Sequence, residues 1–248
     1  MLPVIVVKGS NLPTVWEESI FRLWSSGVSS FKESYRYGVD RDVIKECSML
    51  MVVEKPLEEP RIHLGYSGLS GLRRYVDAVL NGSEDYLIGK TLTYTYHERH
   101  FNYSTPGLKP IDQVEYIVKR LKSRPFSNRC ISVTWKPWVD EESDAPPCNI
   151  ALWLKIVDGK LNMETFWRSR DAFNAAFANM YAFTELQRKV AGELDVEAGI
   201  YVDYSTSYHI YESDFSLVEQ FLKTVSYRRS TGGKLYVDSS FLDSFNNK

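Results

Sequence analysis

Apolar positions along the chain alternate between short continuous runs and stretches with helical spacing. Residues 3–7 form an apolar run, the pattern of a buried strand, and Pro13 then opens a helix whose Trp16, Ile20, Leu23 and Trp24 share one face until Gly27 stops it. A polar loop is expected over residues 29–42, followed by a second strand at 50–53. Leu69, Leu72, Val76, Val79 and Leu80 make the stripe of a helix ended by Gly82. Asp112 starts another helix with Val114, Ile117, Val118 and Leu121 inward. Residues 131–135 read as a strand and 137–147, rich in Asp and Glu, as an acidic surface loop. Residues 149–157 and 160–168 flank Asp158-Gly159, a dipeptide that favours a two-residue type I′ turn, so they predict a long hairpin. The longest helix is expected over 171–194, with Phe173, Phe177, Met180, Phe183, Leu186 and Val190 buried. Residues 200–204 and 208–211 are strand-like, and Ser213 or Asp214 caps a last helix through Val225.

No repeat or flexible linker divides these elements. They predict one α+β domain over residues 1–248, a mixed β-sheet flanked by helices. Composition agrees: of 248 residues, 44% are hydrophobic and 25% charged, which excludes disorder, collagen-like structure and a coiled coil. The longest apolar runs, 2–7 and 49–53, fall far short of the roughly 20 residues that span a bilayer. No membrane partner is therefore expected. A formal charge of −2 gives no general pull on nucleic acid, and the basic residues between Lys119 and Arg124 read as a solvated helix face. The N-terminus lacks the features of a signal peptide, and Cys47, Cys130 and Cys148 are an odd, widely spaced set. Both suit reduced thiols in the cytoplasm.

Two prolines stiffen the backbone before one of these thiols, in Pro146-Pro147-Cys148-Asn149. A free cysteine is most often a small buried hydrophobe; acting as a nucleophile, it needs cations near its thiolate. If the hairpin folds as read, Arg168 arrives beside Cys148, and Ser169 and Asp171 at the start of the long helix add polar groups to an anion site there. The alternative for this Arg-Ser-Arg-Asp run is a capping cluster with surface charge. His97 and His100 sit three apart in a segment that reads as a strand, which would turn them to opposite faces; with no third ligand evident, no metal is expected.

Pro146-Pro147-Cys148, the Arg168-Ser169-x-Asp171 element, Asn179 and the later His209-Ile210-Tyr211 resemble, in order and register, the thymidylate synthase and pyrimidine-nucleotide hydroxymethylase family. The resemblance runs from about residue 112 to 214. Upstream, the segment from Tyr94 to Arg99 is similar to the shorter branch found in archaea and some bacteria. It implies a thymidylate synthase-like fold and a methyltransferase that converts dUMP to dTMP with 5,10-methylenetetrahydrofolate as cosubstrate, through a Cys148 adduct at C6 of the pyrimidine. Arg168 and Ser169 would hold the 5′-phosphate, Asn179 the base edge, His209 and Tyr211 the sugar 3′-hydroxyl, and Asp171 the pterin. Arg129 would reach the phosphate across a homodimer with shared active sites. Tyr96 and Glu98 are assigned to proton transfer. The resemblance also leaves room for a dCMP, CMP or dUMP 5-hydroxymethylase, and for a non-catalytic nucleotide-binding member.

This chain departs from the family pattern at several positions. Asn128 replaces one of two arginines, Asn149 follows the cysteine where many members have His, and Trp153 and Trp167 stand where the long enzymes have Gln. Residues 244–248 lack the apolar tail that closes over folate. At the base edge, an amide at Asn179 can complement O4 and N3–H of uracil, whereas members acting on dCMP carry Asp.

Overall fold

The computed structural model describes residues 1–34 and 39–245. Its elements, in chain order, are β1 (Val4–Gly9), α1 (Leu12–Ser26), β2 (Val28–Glu33), β3 (Arg41–Val53), β4 (Ile62–His63) and α2 (Leu72–Asn81). Next come α3 (Tyr96–Phe101), α4 (Gln113–Ser123), β5 (Ile131–Val133), α5 (Pro137–Asp140), β6 (Asn149–Val157) and β7 (Lys160–Trp167). The chain continues through β8 (Arg170–Asp171), α6 (Ala176–Leu194), β9 (Glu197–Tyr211), α7 (Phe215–Thr231) and β10 (Tyr236–Val237).

Among the described residues, one mixed sheet runs in the order β1-β3-β9-β7-β6-β5, with β2 added to β3 and β8 to β9. Strand alternation sorts its two faces. Met49, Met51 and Val53 of β3, Tyr201 of β9 and Leu161 and Met163 of β7 point into the core, where α1 and α6 cover them. Trp16 of α1 is fully buried against Phe177 of α6, its ring centre 5.2 Å away. The opposite face carries no helix-covered stripe among the described residues. The architecture is the mixed-sheet α+β class that the sequence pattern predicts.

Several boundaries differ from expectation, each for a local reason. The expected polar loop at 29–42 contains β2 and the start of β3. Its Ser and Lys residues belong to an edge strand paired antiparallel with β3, where Ser30 and Lys32 turn inward to Glu46 and Tyr211 and Phe31 is left exposed; residues 35–38 lie outside the described residues. The segment holding His97 and His100 is the helix α3, because Thr95 caps it: its Oγ1 accepts from Glu98 N at 3.0 Å. The two histidines serve different neighbours, His97 contacting Asp85 at 2.7 Å and His100 contacting Ser132 at 2.7 Å.

The acidic loop begins as the single turn α5, whose Asp140 is buried on Arg99 through two 2.8 Å bonds. The long helix starts at Ala176 and not at Asp171, since Arg170 and Asp171 pair with Tyr208 and His209 as β8. The anion site expected at that helix start is therefore not formed there. Residues 200–211 are one strand, its register against β3 shifting once between Cys47 and Met49. The last helix continues to Thr231, and Asp214 precedes it without a side-chain cap. Of the polar C-terminus, residues 246–248 lie outside the described residues.

A buried ion pair ties these elements together. Arg170 Nη1 contacts Asp203 Oδ1, and Arg170 Nη2 donates to the Ala176 carbonyl at 3.0 Å. Asp203 Oδ2 also accepts from Thr165 Oγ1 at 3.0 Å and Tyr201 Oη at 2.8 Å. The guanidinium lies 4.2 Å from the Trp167 ring centre. One network thus spans β7, β8, β9 and the entry to α6. Removing one member leaves an uncompensated buried charge, so Asp203→Ala should lower unfolding free energy by about 3–5 kcal/mol, read as a shift in the urea midpoint at pH 7.

Candidate active site

The hairpin fixes the first functional contact. Asp158 and Gly159 both take positive φ, 49° and 75°, as a type I′ turn requires. The register so imposed holds to Ala151–Phe166; a one-residue shift between Ala151 and Asn149 then pairs Asn149 with Trp167, and Arg168 N donates to the Cys148 carbonyl at 2.9 Å. Arg168 then folds back along the proline pair. Its Nε donates to the Pro147 carbonyl at 2.9 Å and its Nη2 to the Pro146 carbonyl at 2.8 Å, with Nη2 4.0 Å from Cys148 Sγ.

Cys148 is half-buried, whereas Cys47 and Cys130 are fully buried. Burial, reinforced by Glu46, pushes the Cys47 thiol up to about 12, and burial also raises Cys130. A guanidinium beside the accessible thiol favours its thiolate and can bind an anion as well.

Cys148 and Arg168 open into a cavity of about 420 Å³ that they share with Lys32, Tyr75, Tyr94 and Tyr96. Tyr96, at the start of α3, accepts from Asn149 N at 3.4 Å. Burial, then Tyr94, raise its phenol well above the usual range. Burial and the nearby Cys148 push Tyr94 up to about 12. The wall around the thiol is thus made of neutral phenols. Glu98 does not line this cavity; it pairs with Lys136 and with Arg99 Nε at 3.1 Å. Two residues beyond the cavity-lining Thr95-Tyr96 pair, about 200° round the helix from Tyr96, its side chain points elsewhere. Among the described cavity residues, a carboxylate comes instead from Glu84, 3.5 Å from Arg74 Nε.

The other expected residues surround this centre at varying remove. Asn179, on α6, donates from Nδ2 to Tyr75 Oη at 2.5 Å; Tyr75 lines both the cavity and a neighbouring groove of about 270 Å³ that includes Asn174 and Asn179. Lys32 connects His209 and Tyr211 to the cavity, its Nζ donating to Tyr211 Oη at 2.7 Å and lying 3.5 Å from His209 Nε2. Burial, then the Lys32 charge, hold His209 down to about 4, so its imidazole is neutral.

Ser169 is buried at the bend between β7 and β8 and does not line the cavity. Asp171 Oδ1 accepts from Phe173 N at 3.0 Å and Asn174 N at 2.9 Å, and Oδ2 from Asn174 Nδ2 at 3.1 Å; burial raises its carboxyl. Arg129 is exposed, before β5, and does not line the cavity. Two cavity residues carry no sequence motif. Lys32 sits in an edge strand that reads as a polar loop, and Tyr75 lies within the α2 stripe where an aromatic reads as packing.

The thymidylate synthase family profile matches residues 74–241. A Methanosarcina mazei protein named "Putative thymidylate synthase" is 30% identical over 222 residues, covering 89% of this chain and 96% of the relative. A Methanothermobacter thermautotrophicus protein of the same name is 38% identical over 155 residues, covering 61% and 64%. In fold, the chain is similar to the thermostable thymidylate synthase A from Bacillus subtilis, with a TM-score of 0.66 at 17% identity over 86% of this chain and 84% of that one. With that match extending from α2 to the C-terminal turns and taking in Cys148, Arg168, Asn179 and His209, the chain belongs to the thymidylate synthase family, in its shorter archaeal-type branch.

Proposed function

We propose that the protein methylates dUMP at C5 to give dTMP, with Cys148 adding covalently to C6. The observation that carries this reading is the thiol held 4.0 Å from the Arg168 guanidinium on the wall of a nucleotide-sized, phenol-lined cavity. Addition of the thiolate to C6 moves the C5–C6 π electrons toward C5 and O4, which makes C5 nucleophilic. Arg168 holds the 5′-phosphate and favours the thiolate, with Ser169 supporting the bend from which it projects. Asn179 sets the base edge through its contact with Tyr75, and His209 with Tyr211 holds the sugar 3′-hydroxyl on the Lys32 side. Tyr96 supplies a neutral phenol for the loss of the C5 proton.

Methylenetetrahydrofolate, when bound, supplies the carbon and the hydride that completes the methyl group. The groove beside Tyr75 offers Tyr66 and Tyr75 rings to a flat pterin, and Asp171 borders it through Asn174. Glu98, tied to two cations outside the cavity, is a poor proton acceptor for this step. That observation favours, as a second reading, a nucleotide-binding member without turnover; a 5-hydroxymethylase differs in using water in place of hydride at the same carbon. Three free cysteines suit the cytoplasm.

The helix-free face of the sheet supports a homodimer. Leu50, Val52, Ala151, Trp153, Phe166 and Tyr204 lie on it, and Ile131 and Val133 of β5 are 50% and 37% exposed. Contiguous apolar surface of this kind marks a protein interface. Arg129 is exposed two residues before β5, at the border of this face, and is the side chain that would reach a partner's phosphate site.

Cys148→Ser should abolish tritium release from 5-tritiated dUMP with methylenetetrahydrofolate present while retaining dUMP binding; Cys47→Ala and Cys130→Ala should keep turnover. Wild-type protein that binds dUMP yet releases no tritium supports the non-catalytic reading, and a hydroxymethyl product supports the hydroxylase. Sedimentation at active concentrations should give twice the 28.6 kDa chain mass, and Trp153→Glu should shift it toward the monomer. A monomeric active enzyme contradicts the shared-site arrangement.

A further inference from the structure

The Tyr75 ring is given to the pterin above and its hydroxyl only to Asn179, yet Tyr75 is the side chain common to the cavity and the adjoining groove. Asn179 Nδ2 donates to its Oη at 2.5 Å. A phenol oxygen that accepts from one side turns its own proton elsewhere, and Tyr75 faces the space beside Cys148. Burial, then Tyr94, raise its phenol above the usual range, so the proton stays on oxygen at neutral pH. Another polar side chain of the cavity, Glu84, is engaged with Arg74 at 3.5 Å.

We propose that Tyr75, oriented by Asn179, donates its O–H to O4 of the pyrimidine, both selecting uracil and stabilising the charge that Cys148 addition creates. The inference rests on the pyrimidine-nucleotide reading above and names the group that contacts the base in it. In the addition step the thiolate lone pair forms the S–C6 bond, the C5–C6 π pair becomes the C4–C5 π bond, and the C4–O4 π pair becomes a lone pair on O4. No proton is gained or lost. The Tyr75 hydrogen bond strengthens as that charge grows, so it contributes more in the transition state than in the ground state.

Specificity follows from the same proton. O4 of uracil accepts it, whereas the N4 amine of cytosine would set donor against donor. Asn179→Asp reverses the relay. A carboxylate at 179 accepts from Tyr75, which turns the phenol lone pairs into the cavity, where they can accept from the N4 amine. Tyr75 is therefore the means by which residue 179 reads the base.

The test compares wild type, Tyr75→Phe, Asn179→Asp and the double variant. Nucleotides are dUMP, dCMP and the 2′-deoxynucleotide of 2-pyrimidinone, which lacks any group at position 4. Tyr75→Phe should slow tritium release from 5-tritiated dUMP by roughly a hundredfold, the loss typical of one donor to a developing oxyanion, with a smaller change in KM. It should weaken dUMP binding and leave the 2-pyrimidinone nucleotide unaffected. Asn179→Asp should move preference toward dCMP, and the double variant should lose that shift. Equal weakening for both uracil and 2-pyrimidinone nucleotides, unchanged tritium release, or a dCMP preference that survives in the double variant each overturns the assignment. Wild-type protein that binds none of the nucleotides overturns the functional reading and this inference together.

Discussion

Two positive φ angles at a hairpin tip, Asp158 and Gly159, determine where the thiol meets the guanidinium. Side chains alternate along a strand, so a slip of one residue in the pairing of β6 with β7 would send Arg168 to the other side of the sheet from the mouth in which Cys148 lies. A type I′ turn matches the right-handed twist of its strands and admits one register. The ladder so started runs from Val157–Lys160 to Ala151–Phe166, where a one-residue bulge before Asn149 shifts the pairing and brings Cys148, rather than Asn149, opposite Arg168. The Pro146 and Pro147 carbonyls then convert proximity into orientation, because they occupy two of the guanidinium's donors and hold its plane against the cysteine backbone.

That constraint was legible in the sequence because each part of it is local. Asp-Gly names its turn, and apolar alternation names the strands. The helices α1, α2 and α4 were legible for a similar reason, from Pro13 and Gly27, Gly82 and Asp112 at their ends together with a 3.6-residue stripe. What the sequence hid was tertiary. Residues 28–33 are polar because β2 is an edge strand, and composition cannot distinguish such a strand from a loop. The Tyr94 to Arg99 segment is rich in β-favouring aromatics, yet one Thr95 cap and burial against Trp167 and Phe183 make it a helix. Tertiary packing there overrides a propensity worth only tenths of a kcal/mol per residue.

The site residues divide along the same line. Cys148 and Arg168 could be paired from the chain because a hairpin joins them. Asn179 and Tyr75 lie on different helices, and their contact depends on α2 packing against α6, a long-range event without a sequence signature. Glu98 failed to reach the cavity for a reason of competition: Lys136 and Arg99, arriving from β5's end and from α3 itself, offer two cations to one carboxylate, and a partly buried carboxylate is held by such partners rather than by open space. The cavity is consequently furnished with phenols, which burial keeps neutral.

A cavity of neutral phenols with one guanidinium at its mouth has a definite electrostatic character. The positive charges, Arg168 and Lys32, line it together with the Glu84 carboxylate and the phenols Tyr75, Tyr94 and Tyr96. Against a low-dielectric wall of this kind, hydrogen bonds to growing charge are stronger than in water. The Arg170–Asp203 pair, whose arginine is two residues from Arg168, is buried, its two terminal guanidinium nitrogens bonded to Asp203 and the Ala176 carbonyl. Because its charge is already paired, the second arginine of the Arg-Ser-Arg-Asp run does not compete for phosphate. One arginine of the run faces the cavity and the other braces the sheet from inside; residues two apart on a continuous strand would share a face, so it is the bend at Arg168 and Ser169, between β7 and β8, that separates them.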